Sequence, residues 1–188
     1  MGRLVVTEYI SVDGVVEAPS GREQFARTGW ADHFSRGQEG QQFKVDETMA
    51  ADAQLLGRVT YELFAASWPQ YEGEFADRFN AMPKYVVSSS LNDPEWKNTT
   101  VLKGDLVEEV TRIKGQYERD VLVHGSPQLS QALIKHDLVD ALHLLVYPII
   151  VGAGKRLFDG TSETKRLRLA SARTFGDGVH LLIYERAA

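Results

Sequence analysis

Not one of the 188 residues is a cysteine, so disulfides, thiol nucleophiles and thiolate metal sites are excluded together. No apolar run approaches the roughly 18 residues of a membrane-spanning helix. The opening stretch Met1 to Thr7 is short and is broken by Glu8, so the sequence reads as carrying no signal peptide and points to the cytoplasm. Basic residues are in deficit: 21 Lys and Arg face 26 Asp and Glu, a net charge of -5. That balance argues against a nucleic acid or a membrane surface as partner, and any phosphate contact has to be local, within a shaped site. Several catalytic signatures are also missing. There is no Gly-Lys-Ser/Thr phosphate loop and no Gly-x-Ser-x-Gly elbow, and Gly152 and Gly154 lack the third glycine and following helix of a dinucleotide fingerprint. His33, His124, His136, His143 and His180 form no i, i+4 helical pair with a carboxylate partner. Structural or surface roles suit them better than a metal site, and no metal is expected.

What remains is an ordinary globular composition, 43% hydrophobic and 25% charged. A chain of this length fits a single domain over residues 1–188 and buries roughly 70% of its unfolded surface. Strand-like segments occur at Arg3 to Ile10, Ala53 to Leu56, Lys84 to Ser88, Thr99 to Leu102, Val121 to Val123 and Ala141 to Tyr147. The triplets Tyr85-Val86-Val87 and Val121-Leu122-Val123 are continuous apolar runs, as in strands covered on both faces. Helices are expected over Gln41 to Ala51, where the pattern is mixed, and from about Thr60 to Ala66, where Trp68-Pro69 stops it. A third helix follows Asp105, which has capping-box spacing to Glu108, and a fourth follows Ser126-Pro127, with Ser126 as N-cap. Arg166 to Phe175 pairs with Val179 to Arg186 through Gly176-Asp177-Gly178. Alternating strands and helices imply an α/β fold of three layers, with a mainly parallel sheet and an antiparallel C-terminal hairpin. The stretch Glu17 to Gly40, in which Phe25, Trp30 and Phe34 recur, reads as an ordered loop or lid.

Ligands of such sheets collect at the carboxyl ends of the strands, where helix N-termini turn free amides outward. Three strand ends carry small or turn residues there: Gly57-Arg58-Val59-Thr60, Ser88-Ser89-Ser90 and Gly125-Ser126-Pro127. Each alone is explained by an ordinary turn and cap; the three together point to a polyphosphate ligand.

The segments Ser11-Val12-Asp13-Gly14, Leu55-Leu56-Gly57-Arg58-Val59-Thr60-Tyr61-Glu62, Lys84-Tyr85-Val86-Val87-Ser88 and Val139 to Phe158, with its Pro148-x-x-x-Gly152-x-Gly154-Lys155 pattern, carry a resemblance. In order and spacing they are similar to the dihydrofolate reductase-like superfamily, and within it to the reductase domain of bacterial riboflavin biosynthesis, over nearly the whole chain. The resemblance implies an NADPH-dependent oxidoreductase that transfers hydride to a small heterocycle, either 5-amino-6-(5-phosphoribosylamino)uracil or a pteridine such as dihydrofolate. By carry-over, Gly57, Arg58 and Thr60 meet the cofactor phosphates. Ser88, Ser89 and Ser90 lie near the adenosine ribose, with Lys103 as a further cation, and Gly125, Ser126 and Gln128 open the helix facing the pyrophosphate. Asp13 and Gly14 sit beside the nicotinamide and the substrate.

This chain has His124-Gly125 where relatives often place a glycine pair with an unusual cis peptide, and it lacks the arginine many relatives carry in the Ser88 to Ser90 turn. For the proton that reduction consumes, the first helix offers Asp46 and Glu47, beside Asp13 after the first strand. Glu47 is in phase with Phe43, so an acid and an aromatic ring can share one face; solvated helix charges are the plainer account of Asp46 and Glu47. We take Asp13 and Glu47 as the catalytic candidates and Phe43 as a substrate-binding one. A phosphorylated substrate needs a second anion site, for which Lys155 and Arg156 are candidates. Relatives are often dimeric, and Leu142 to Tyr147 or the terminal hairpin are candidate homodimer surfaces. A noncatalytic nucleotide-binding protein that kept the fold is the alternative.

Overall fold

The computed structural model of the protein describes residues 1–21, 23–160 and 163–187. Its first strand, β1 (Leu4–Ser11), is almost wholly buried, as an apolar segment with neighbours on both sides and layers on both faces must be. After a loop containing a 3-10 turn (Trp30–His33) come α1 (Gly37–Ala50), β2 (Ala51–Gly57), α2 (Arg58–Ser67), α3 (Glu74–Ala81), β3 (Lys84–Val87) and β4 (Thr99–Leu102). Then follow α4 (Leu106–Gln116), β5 (Asp120–His124), α5 (Pro127–Lys135), β6 (Ala141–Tyr147), β7 (Leu167–Phe175) and β8 (Val179–Arg186). The strands form one sheet of eight in the order β4-β3-β2-β5-β1-β6-β8-β7. The first six pair in parallel, and β8 runs antiparallel between β6 and β7. The expected α/β architecture with its antiparallel C-terminal strands is therefore present.

Strand alternation divides the core between the two faces. Leu4, Val6, Val121 and Val123 pack with Val110 and Ile113 of α4 and Leu133 of α5. On the opposite face Leu56 and Val86 pack with Tyr61 of α2, Phe79 of α3 and Trp96. Helix α4 starts as its sequence suggests, because the Asp105 carboxylate accepts from the backbone N–H of Val107 (2.9 Å) and Glu108 (3.1 Å). The β7–β8 turn needs glycine for a steric reason: Gly176 has φ 43, and a Cβ there would lie 2.0 Å from the Ser35 carbonyl oxygen.

Several expectations change. Helix α1 begins at Gly37, before the expected Gln41, and α2 begins at Arg58, directly off β2. Helix α3 is an addition. Its signals are present, with Gly73 before it, Glu74 and Asp77 in its first turn, Arg78 in its last and Pro83 just beyond, but eight residues are too few for periodicity to show. Ser126 does not cap α5 with its side chain. Strand β6 lies between β1 and β8 with its side chains buried, so it offers no surface to a second copy; the open edge of the hairpin is β7. The loop from Glu17 is packed rather than detached, since Trp30 is buried and donates its indole N–H to the Glu17 carbonyl. Among the described residues no helix is long and apolar enough to cross a membrane.

One buried cation ties the distal edge together. Lys84, at the head of β3, is inaccessible to solvent and donates to the carbonyls of Asn80 (2.7 Å), Met82 (2.8 Å) and Lys97 (3.0 Å) while lying over the Trp96 ring. Lys84→Met keeps the length and removes all three donors. It should cost about 3 kcal/mol, read as a lower urea midpoint at unchanged slope, because buried carbonyls are left unpaired.

Candidate active site

The carboxyl ends of β4, β3, β2, β5 and β1 border one cleft of about 1120 Å³. Its middle is built by hydrogen bonds that cross between two strand ends. The Gly57 N–H, at the end of β2, donates to Ser126 Oγ (2.9 Å), and the Ser126 N–H, beyond β5, donates to Thr60 Oγ1 (3.0 Å). Ser126 Oγ in turn donates to the His124 carbonyl (3.1 Å). Gly125 (φ 53) and Ser126 (φ 59) both adopt left-handed conformations to make this turn. A Cβ on Gly125 would lie 3.3 Å from Thr60 Oγ1. No peptide bond among the described residues is cis, so these two left-handed residues make the turn at His124-Gly125 with trans peptides. Neither α2 nor α5 has a side-chain cap, and the first-turn amides of both helices lack the intrahelical partners that later amides have.

Toward β3 and β4, Ser88 Oγ accepts from the N–H of Ser90 (3.2 Å) and Leu91 (3.0 Å), shaping the serine turn. Lys103 Nζ rests on Asn92 Oδ1 (2.9 Å), and Arg58 holds the Glu62 carboxylate (2.9 Å) at the surface. Gly57, Arg58, Thr60, Ser88, Ser89, Ser90, Lys103, Gly125, Ser126 and Gln128 all line the cleft; Gly14 does not.

Toward β1 the walls change character. Lys44 of α1 reaches the cleft with its Nζ held by the Glu47 carboxylate and by Thr7 Oγ1 (2.9 Å), and the far oxygen of Glu47 meets His143 Nδ1 at 2.6 Å. Burial works to raise the Glu47 carboxyl, but the Lys44 ammonium and the His143 hydrogen bond outweigh it and hold it well below the usual range. Glu47 is thus a buried support behind Lys44, outside the cleft lining. Phe43 is beside it, with ring centroids 6.0 Å from His143 and 6.3 Å from Phe175. The two share a face, as their spacing suggests, but that face is turned into the core. Asp46 is exposed and accepts from Gln42.

Asp13 lies outside the cleft lining. It clasps loops, accepting from Ser11 Oγ (2.7 Å) and from the N–H of Val151 (3.0 Å) and Gly152 (2.8 Å). The Ser11 bond, with those amides, overcomes partial burial and holds its carboxyl at about 2. Arg156 stays on the same clasp, its Nε donating to the Asp13 carbonyl (2.9 Å). Lys155 does line the cleft, with Nζ 2.9 Å from Glu17.

Among the cleft residues missed by the reading of the sequence are Lys44, Glu8 and His124. Lys44 gave no signal, because α1 carries no clear apolar stripe. Glu8 and His124 had one: each is a polar residue inside an apolar strand segment, where it has to be explained. Burial, helped by the Lys44 ammonium, holds the His124 imidazole down at about 3, and its Nε2 has no hydrogen-bond partner among the described residues. It packs against Phe64 and Phe79, with ring centroids 6.3 and 5.4 Å away. His143, also buried, serves Glu47.

Sheet order, the C-terminal antiparallel strands and a cleft across parallel strand ends define a protein of the dihydrofolate reductase-like fold. Residues 3–181 match the RibD C-terminal domain, and the chain belongs to that family. It is 23% identical to "Uncharacterized protein YyaP" of Bacillus subtilis, over 97% of this chain and 94% of that one. It is 24% identical to YwjB of the same organism, over 92% and 91%. Among solved structures it resembles a putative riboflavin biosynthesis protein from Shewanella sp. PV-4 (TM-score 0.79, 17% identity, 99% of each chain). It also resembles Acinetobacter baumannii RibD (TM-score 0.68, 18% identity, all of this chain and 59% of that one).

The Lys44–Glu47 pair yields a prediction. Both side chains are nearly buried, at 14% and 3% exposure, so Glu47→Gln leaves an unbalanced cation and should cost about 3 kcal/mol at neutral pH. The folded carboxyl titrates below its ordinary 4.5. Its contribution is therefore complete above that value and is lost as pH falls through the lower folded value. Urea unfolding at several pH values should show the cost of Glu47→Gln shrinking on the acid side.

Proposed function

We propose that this protein is an NADPH-dependent reductase of a small heterocyclic substrate, a pteridine or a ribosylaminopyrimidine of the kind reduced in riboflavin biosynthesis. The observation that carries the reading is the pair of uncapped helix N-termini, α2 and α5, laced side by side over the cleft. Such termini favour anions through free amides and aligned dipoles, and two adjacent ones suit a pyrophosphate. Arg58, Thr60 and Gln128 would hold it, with Ser88 to Ser90 and Lys103 toward the adenosine side. When bound, the reduced nicotinamide supplies the hydride.

The chain's own contribution to such a reaction is positioning and proton handling. Phe64 of α2, Trp68 just after it and Phe75 of α3 line the cleft and would offer apolar faces to a flat ring. Lys44, fixed by Glu47 and Thr7, is a positioned cation; Glu47 acts as its positioning residue, with Phe43 supporting His143 behind it. Lys155 and Arg156 are each engaged by a carboxylate or carbonyl of the chain itself, which favours a substrate without a phosphate at that end.

Thermal melting tests the reading. If NADPH binds with a Kd near 10 μM, about 1 mM contributes roughly 2.7 kcal/mol and should lift Tm by roughly 5–10 °C, with NADH lifting it less. No shift at millimolar NADPH rejects the proposal. A shift without oxidation of NADPH in the presence of dihydrofolate or 5-amino-6-(5-phosphoribosylamino)uracil favours the noncatalytic alternative.

A further inference from the structure

Glu8 is a buried cleft carboxyl whose placement none of the interactions above explains. Strand pairing sets Thr7 opposite His124, the last residue of β5, so Glu8 stands one step past that strand's end, at the level of Gly125. Alternation turns it away from Thr7 and Lys44, toward α5. It lines the cleft, yet is only 3% exposed. Ser130 Oγ of α5, at 3.4 Å, is its single hydrogen-bond partner among the described residues, and no cation lies within ion-pair distance of it.

The charged groups around it come from three elements. Lys44 on α1 is the nearest influence of positive sign, but its Nζ is committed to Glu47 and Thr7. Glu23, on the loop after β1, adds negative charge, and Ser130 on α5 is neutral. Burial dominates this balance and pushes the Glu8 carboxyl well above the usual range, with Glu23 adding to it and Lys44 and Ser130 opposing. Buried at the wall of the site with no cation beside it, the carboxyl favours its protonated form.

Resting on the reductase reading above, we infer that Glu8 is the proton donor of the reaction, delivering the carboxylic proton to the substrate atom that becomes basic on reduction. The substrate's C=N or C=O π bond breaks as its carbon gains hydride from the reduced nicotinamide and its nitrogen or oxygen gains the Glu8 proton. One C–H and one N–H or O–H bond form, the nicotinamide leaves oxidised, and Glu8 is left as a carboxylate. Water restores its proton before the next turnover. The reading commits the substrate to an electronegative atom that needs a proton, not one that arrives already cationic.

The test compares the parent with Glu8→Gln and Glu8→Asp. Infrared spectra of the parent near pH 7, without ligand, should contain a carboxylic-acid C=O band that Glu8→Gln removes. Because the folded carboxyl titrates above its unfolded value, its share of stability is complete at acid pH and declines as pH rises through the folded value. The Tm of Glu8→Gln should therefore overtake the parent's progressively toward alkaline pH. With NADPH and whichever of dihydrofolate or 5-amino-6-(5-phosphoribosylamino)uracil the parent reduces, Glu8→Gln should lower kcat by roughly 10²- to 10⁴-fold. Its NADPH melting shift should stay at the parent's value, with Glu8→Asp intermediate in rate. Absence of the band, or a Glu8→Gln rate equal to the parent's, overturns the inference. Failure of the parent itself to bind NADPH overturns the reductase reading and the proton-donor role with it, and the infrared band then reports only the protonation of Glu8.

Discussion

Two hydrogen bonds that run crosswise, Gly57 N–H to Ser126 Oγ and Ser126 N–H to Thr60 Oγ1, set the geometry on which the cleft depends. Serine and threonine at a helix start ordinarily cap their own helix. Here each hydroxyl turns to the neighbouring strand end, so β2 and β5 are locked together while neither α2 nor α5 receives a side-chain cap. The left-handed Gly125 and Ser126 are the local strain this arrangement requires. On the proposed function, a protein with net negative charge would thereby hold an anion with backbone dipoles rather than with a basic surface.

A second support is hidden behind the first. The polar face of α1 looks ill-suited to cover a sheet, with Lys44 and Glu47 where aliphatic residues would be expected. Those side chains instead form a chain of contacts from His143 on β6, through Glu47, to Lys44 and Thr7. Buried charges are tolerable only when paired in this way. The result is an ammonium fixed in position at the wall of a site.

Much of the fold was legible from residues alone. The valine-rich runs of β1, β3 and β5, the Asp105 cap and the glycines of the last hairpin are local signals, and local structure obeys them. The turns at the three strand ends that meet at the cleft were legible for the same reason, since small residues after an apolar run mark a turn wherever they occur. The site's chemistry was less legible. Asp13 and Glu47 stood out as carboxylates near family motifs, but what an acid does depends on which atoms approach it from distant parts of the chain: Val151 and Gly152 for Asp13, His143 for Glu47. Glu8 looked like the residue that merely ends an apolar N-terminus. Only the sheet order, which sets β1 next to β5 and ends β5 one residue short of Glu8, shows that it reaches the wall of the cleft.

The cleft also has a direction. Its β4 and β3 side offers amides, hydroxyls and Lys103, with Arg58 nearby on Glu62, whereas its β1 side gathers Glu17, Glu23 and Asp32 beside Lys44 and Lys155, which are already paired. An elongated ligand with an anionic tail, as under the proposed function, would meet unlike surroundings at the two ends, and placing its tail among the carboxylates would bring like charges together. Orientation would then be selected during approach, before any close contact forms, and that selection would fall off as added salt shortens the reach of the charges.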